Sequence, residues 1–186
     1  MNWGQLITER DEWIAHNFPN HALDEPVDES LVGVMEEKGE LAHAHLKAAQ
    51  KIRGSEEEHI ANAKDAIGDL TIYLLGVISR IGQGFEDEGI SPERQASTPT
   101  WALKYLDFFA GRLSISPDLH TCYRIVGCLV TYCDFMDWDY EEIVMSTWNE
   151  VKQRDWQKNK EDGGVPDRSM SDGEAPHIHE GARDVL

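Results

Sequence analysis

Basic side chains are scarce in this chain: 17 Lys and Arg stand against 35 Asp and Glu, a formal net charge of -18. So acidic a surface repels a nucleic-acid backbone and an anionic membrane, and neither is expected as a partner. Small phosphorylated ligands stay open, because a bound divalent cation inverts the local charge. Cysteine is nearly absent. Cys122, Cys128 and Cys133 are odd in number and lack CxxC spacing, which argues against a disulfide framework or a zinc site. Long apolar runs are missing too, and none approaches the roughly 20 residues of a membrane helix. The opening MNWGQLITERDEW is amphipathic and charged and does not read as a secretory leader. A cytoplasmic protein with reduced thiols is the expectation.

Hydrophobic residues make up 40% of the 186, enough for one real core. Strand signals are few, and the apolar spacing is helical. Trp3 to Asn17 carries a stripe at Leu6, Ile7, Trp13 and Ile14. A second helix, capped by Asp28 or Ser30, runs to about Lys51 on Leu31, Val34, Leu41, His45 and Ala48. A third runs from Glu56 to about Ile81, a fourth from Trp101 to Leu113. A fifth opens at Ser116-Pro117-Asp118 and lasts to Met136. A sixth, capped by Asp139, runs from Tyr140 to about Trp156. Glu86 to Pro99 reads as a loop. These elements predict an all-α bundle of about five or six helices over residues 1–157. Residues 158–186, rich in Gly, Pro, Asp and Ser, read as a disordered polar tail, with His177 and His179 as ordinary linker histidines.

The carboxylates need explaining. At 100° per residue, Gly33, Glu37, Glu40 and Ala44 share one face of the second helix, at the margin of its apolar stripe. The third helix is apolar on most sides from Ala66 to Ile78, yet Asn62, Asp65, Asp69, Tyr73 and Gly76 form a polar seam along it. An ionised Asp69 in such surroundings costs several kcal/mol unless it is paired or metal-bound. Lys64, off to one side, is the only base near this seam in the helix itself. Mg²⁺ suits carboxylate oxygens and keeps waters for a phosphate. The short link around Gly54 makes the two helices antiparallel neighbours. Glu40 and Asp69 each lie about 20 Å from that link at ~1.5 Å per residue, so they meet at one level.

These residues resemble the all-α NTP pyrophosphohydrolase superfamily, in particular the MazG-like proteins, relatives of dimeric dUTPases and dCTP pyrophosphatases. The family pattern is EExxE on one helix and ExxD on the next. Here the first half is Glu36-Glu37-Lys38-Gly39-Glu40, and the second is DAIGDLTIYLL, where Asp69 matches the final aspartate. The glutamate before it falls on Ala66, and Asp65, one residue earlier, is the candidate to replace it. WNEVKQRDWQKNKEDG, from Trp148 to Gly163, and WIAHNFPNH, from Trp13 to His21, are similar to further segments of the family.

The resemblance implies a Mg²⁺-dependent (Mn²⁺ also suits) hydrolysis of a nucleoside triphosphate to monophosphate and pyrophosphate. It implies Glu37, Glu40, Asp69 and Asp65 as metal ligands, with Glu36 and Glu37 as catalytic residues. Glu36 orients the water or faces solvent. Asn149, Lys152, Arg154 and Lys158 are candidates to bind the pyrophosphate, and His16, Asn17 and Trp13 the base. Lys47, Lys51 and Arg53 either lean on the phosphates or compensate the helix dipole, and the dipole role is preferred.

Two rival readings remain. The first is a catalytically weak nucleotide-binding or interaction module, favoured by Ala66. The second is a di-iron carboxylate bundle, suggested by Glu40-x-x-His43 and Glu56-x-x-His59, though the break at Gly54 sets these at different depths. Finally, the third and fifth helices are apolar on nearly all sides. This predicts an obligate homo-oligomer, a dimer or tetramer, burying over roughly 2,000 Å².

Overall fold

The computed structural model describes residues 2–20, 23, 26–82 and 96–160. Among them all regular structure is helical: α1 (Trp3–Asn17), α2 (Asp28–Gln50), α3 (Glu56–Arg80), α4 (Pro99–Ile115), α5 (Leu119–Met136) and α6 (Tyr140–Val151). The fold is an all-α bundle. None of these helices is long and apolar enough to cross a membrane. The expected loop over 86–99 and the expected tail fall largely on 83–95 and 161–186, outside the described residues.

Side-chain caps set most helix starts. Asn2, Ser55, Thr98, Asp118 and Asp139 each accept a backbone N–H from the residue three positions on. Ser55 and Glu58 complete a reciprocal capping box that starts α3. Four boundaries differ from expectation. The α2 cap position is Val27, with no side-chain bond, and Ser30 is a buried residue inside the helix. Helix α4 starts earlier, at Pro99, because Thr98 caps it and a proline loses nothing in the first turn. Pro117 lies outside α5, ahead of the Asp118 cap. Helix α6 ends at Val151, and the chain to Lys160 continues in turns.

Helix α3 is the axis of the bundle. It packs on α2 as an antiparallel hairpin and touches α1, α5 and α6; α4 pairs with α5 and leans on α2. Ile67, Leu70, Leu74, Leu75, Val77 and Ile78 are wholly enclosed. So are Cys122, Ile125, Val126, Leu129 and Tyr132 of α5. Burial pushes the Cys122 and Cys133 thiols up to about 12, which keeps them protonated. The apolar girth of α3 and α5 is therefore covered within one chain. The reason for expecting an oligomer from those two helices is removed, because α1, α2, α4 and α6 supply the cover.

Candidate functional site

The α2–α3 hairpin brings the acidic residues of both helices together. Glu37 is 9% exposed, and the main influences on its carboxyl all push the same way. Burial is the largest; the charges of Asp69, Glu40, Glu36 and Asp65 follow, and the pKa rises to about 8. Asp69, half-buried on α3, is pushed up to about 6 by burial first and then by Asp65, while Arg154 opposes the rise. Five carboxylates thus share one field. Among the described residues no three acidic, imidazole or thiol groups are gathered as a ready-made metal cluster. The donor set nevertheless fits a hard cation in chemistry. It is all carboxylate oxygen, and among the described residues no hydrogen bond or cation figures among the main influences on the buried Glu37.

Two close approaches build the site floor. The Tyr73 ring lies on Gly33, where any Cβ would overlap it, so glycine is needed for α2 and α3 to meet at this level. One turn further, Gly76 leaves room for the buried Arg10 from α1. Its guanidinium donates to the Ile72 carbonyl at 3.0 Å and to Asp11 at 2.9 Å, and it reaches Ser30 Oγ at 3.4 Å. Burial raises the Tyr73 phenol, and the Glu37, Asp69 and Glu36 charges raise it further. It stays a neutral donor at the end of the seam. A cleft of about 240 Å³ opens beside Asp65 between α3 and α6, walled by Lys64, Asp139, Glu142 and Thr147.

The other predicted site residues part company. Arg154 alone among the expected phosphate-binding bases acts on Asp69, and its buried Nε has no hydrogen-bond partner among the described residues. Lys158 pairs with Asp155 at 2.7 Å, and Lys152, exposed, acts on Glu9. The Asn149 side chain is exposed, and its carbonyl accepts from Gln153 at 2.5 Å. Asn17, a base-pocket candidate, is taken up in packing α1 on the chain after α6. It is 2% exposed, and its side chain donates to the Trp13 carbonyl at 3.0 Å and accepts the Trp156 N–H at 2.7 Å. Its carbonyl accepts Gln157 Nε2 at 2.6 Å. Trp13 is structural as well. It donates from Nε1 to the Arg154 carbonyl at 3.0 Å and meets Trp148 edge-on. His16 is exposed, 3.8 Å from Asp155.

The end of α1 is thus a clip on the chain after α6, and that clip holds the backbone of Arg154. Spacing along α3 offered no base for the seam beyond Lys64. The bases come from α1 and from beyond α6, which no single-helix pattern reveals. Lys47 reaches Gln50, and Lys51 and Arg53 lie at the left-handed α2–α3 turn, away from the carboxylates. His59 bonds the Ile52 carbonyl at that same turn, so the paired ExxH segments do not form one site. Comparison of the chain with protein-family models, curated proteins and solved structures finds no match.

Proposed function

We propose that the chain is a Mg²⁺-dependent nucleoside triphosphate pyrophosphohydrolase that converts a (d)NTP to (d)NMP and pyrophosphate. The observation that carries this reading is the buried, unrelieved Glu37 among Glu36, Glu40, Asp65 and Asp69. The EExxE arrangement on α2 and the aspartate on α3 give the reading its chemical class.

Glu37, Glu40, Asp69 and Asp65 hold Mg²⁺, or Mn²⁺ in its place. When bound, the ion screens phosphate charge and makes hydroxide available near neutral pH. The chain's own part is to position and to move a proton. A water oxygen adds to one phosphorus of the α–β bridge, the bond from that phosphorus to the bridging oxygen breaks, and pyrophosphate departs. Glu36, exposed at the rim and one residue from Glu37, takes the water's proton. Arg154 donates its unpartnered Nε–H to a phosphate oxygen, and Tyr73 offers a neutral O–H at the other end of the seam. A net charge of -18 favours this small, ion-carried ligand over a nucleic-acid polyanion.

A second reading, a catalytically weak nucleotide-binding module, is favoured by Ala66. It is 1% exposed, so the position of the family's glutamate is core here. A pyrophosphate-release assay over the common NTPs and dNTPs separates the two. Turnover to monophosphate and pyrophosphate supports the enzyme. Mg²⁺-dependent nucleotide binding by calorimetry without turnover supports the module, and diphosphate plus orthophosphate as products refutes α–β cleavage.

A further inference from the structure

Among the described residues the buried threonines are Thr71, Thr121, Thr131 and Thr147. Thr71 and Thr131 donate to the carbonyl four residues back, at 2.8 and 2.7 Å, and Thr121 donates to Asp118 at 2.7 Å. Thr147 differs. It is 8% exposed, and its hydroxyl has no hydrogen-bond partner among the described residues. It stands where α6 meets α3: a Cβ on Gly68 would overlap it, so glycine is needed for that approach. It also lines the cleft of about 240 Å³ between the two helices. A polar group left without a partner costs about 1–3 kcal/mol, which a ligand in the cleft returns.

The rest of the lining sets the chemistry of that ligand. Asp65, Asp139, Glu142 and Glu150 stand against one lysine, Lys64, whose ammonium lies 5.2 Å from the centre of the Trp138 ring. Such a wall repels phosphate and accepts hydrogen bonds from neutral donors. No aromatic side chain is among the described residues that line it, so a base has nothing to stack on. The volume is below the usual range for a pocket that encloses a whole drug-sized ligand, and suits one ring of a nucleotide rather than all of it. The neutral, hydroxyl-bearing ring of a nucleotide is its sugar.

We infer that the α3–α6 cleft holds the ribose of the substrate and selects ribonucleoside over deoxyribonucleoside triphosphates, which rests on the nucleotide chemistry proposed for the neighbouring carboxylates. Glu150 accepts from the 2′-hydroxyl, and Thr147 donates to a sugar oxygen. Glu150 lies three residues after Thr147 and four before Arg154, between the sugar end and the phosphate end. It is half-buried, whereas Asp139 and Glu142 are exposed, and a shielded acceptor discriminates more strongly. Asp139 already caps α6 by accepting the Glu142 N–H at 3.0 Å, and Asp65 belongs to the ion. A carboxylate keeps lone pairs for other partners as well. Dinucleotide-binding folds use an acidic side chain on the ribose 2′-hydroxyl in the same way.

Calorimetry on the full chain tests this, with the Mg²⁺ complexes of the α,β-methylene analogues of ATP, dATP, UTP and dUTP, which cannot be cleaved at the α–β bridge. Each ribonucleotide analogue should bind at least about tenfold more tightly than its deoxy counterpart, whichever base it carries. Glu150→Ala and Thr147→Val should each bring that ratio to within about threefold of one, with the far-UV circular dichroism retained. Equal affinity for the ribo and deoxy analogues overturns the inference. So does a preference that follows the base whatever the sugar, or a ribose preference that survives both substitutions. Ribose-selective binding without pyrophosphate release from ATP supports the subsite and removes the enzyme. Equal pyrophosphate release from ATP and dATP, with equal affinities, removes the subsite and keeps the enzyme. Binding of none of the four analogues overturns both.

Discussion

Replacing Glu37 by glutamine should make the metal-free protein more stable at alkaline pH. The carboxyl has a pKa of about 8 when folded, against 4.5 for the ordinary side chain. An acid whose folded pKa is raised binds its proton more tightly in the native state. Its contribution is complete below about pH 4.5 and is lost as pH rises toward 8. At ~1.36 kcal/mol per pH unit the shift amounts to a ceiling near 5 kcal/mol, and water at the cleft mouth reduces it to roughly 2–4 kcal/mol. Asp69, raised from 3.8 to about 6, adds a loss of the same sign at lower pH. In EDTA the melting temperature should therefore fall between pH 5 and 8. For a chain of this size, Glu37→Gln should recover about 5–10 °C of it at pH 8. Added Mg²⁺ should stabilise wild type far more than the variant, since the ion binds the folded state. Differential scanning calorimetry at fixed ionic strength measures all of this. A flat or rising melting temperature across pH 5–8, or a Glu37→Gln protein less stable at pH 8 in EDTA, refutes the description of the buried carboxylate.

Asp69→Asn should keep the fold and lose at least about 100-fold in turnover, read by pyrophosphate release at saturating Mg²⁺; wild-type turnover removes Asp69 from the ligands. Asp65→Asn should cost a similar factor if Asp65 replaces the glutamate missing at Ala66, and a kcat within about twofold of wild type shows that it does not. Asn17→Ala should destabilise the chain by about 1–2 kcal/mol in urea melts, because it strands the part-buried Trp156 N–H; a change under about 0.5 kcal/mol contradicts the clip. Truncation after Gly164 should leave melting temperature and turnover unchanged, and a large drop in either would show that the removed segment docks.

The helices were legible because their signals are local. Caps at Ser55, Asp118 and Asp139 and the apolar spacing act within a few residues, so periodicity alone places the elements. The approach of Glu40 to Asp69 was legible for a related reason: a short link between two long helices leaves one antiparallel register, and rise per residue sets the level. What periodicity could not tell was how α3 and α5 are covered, since an apolar helix reads the same whether its own chain or a second copy encloses it. Nor could it assign Asn17, Trp13, Arg10 and Arg154. Their partners lie 62 to 141 residues away, and only the packing of α1 against α3 and the chain after α6 brings them together. Tertiary structure therefore joined Asn17 and Trp13 to the chain after α6 and brought the Arg154 guanidinium within the field of Asp69. Which polar groups are buried together depends on how helices pack, and a helix's own sequence constrains only one side of each contact.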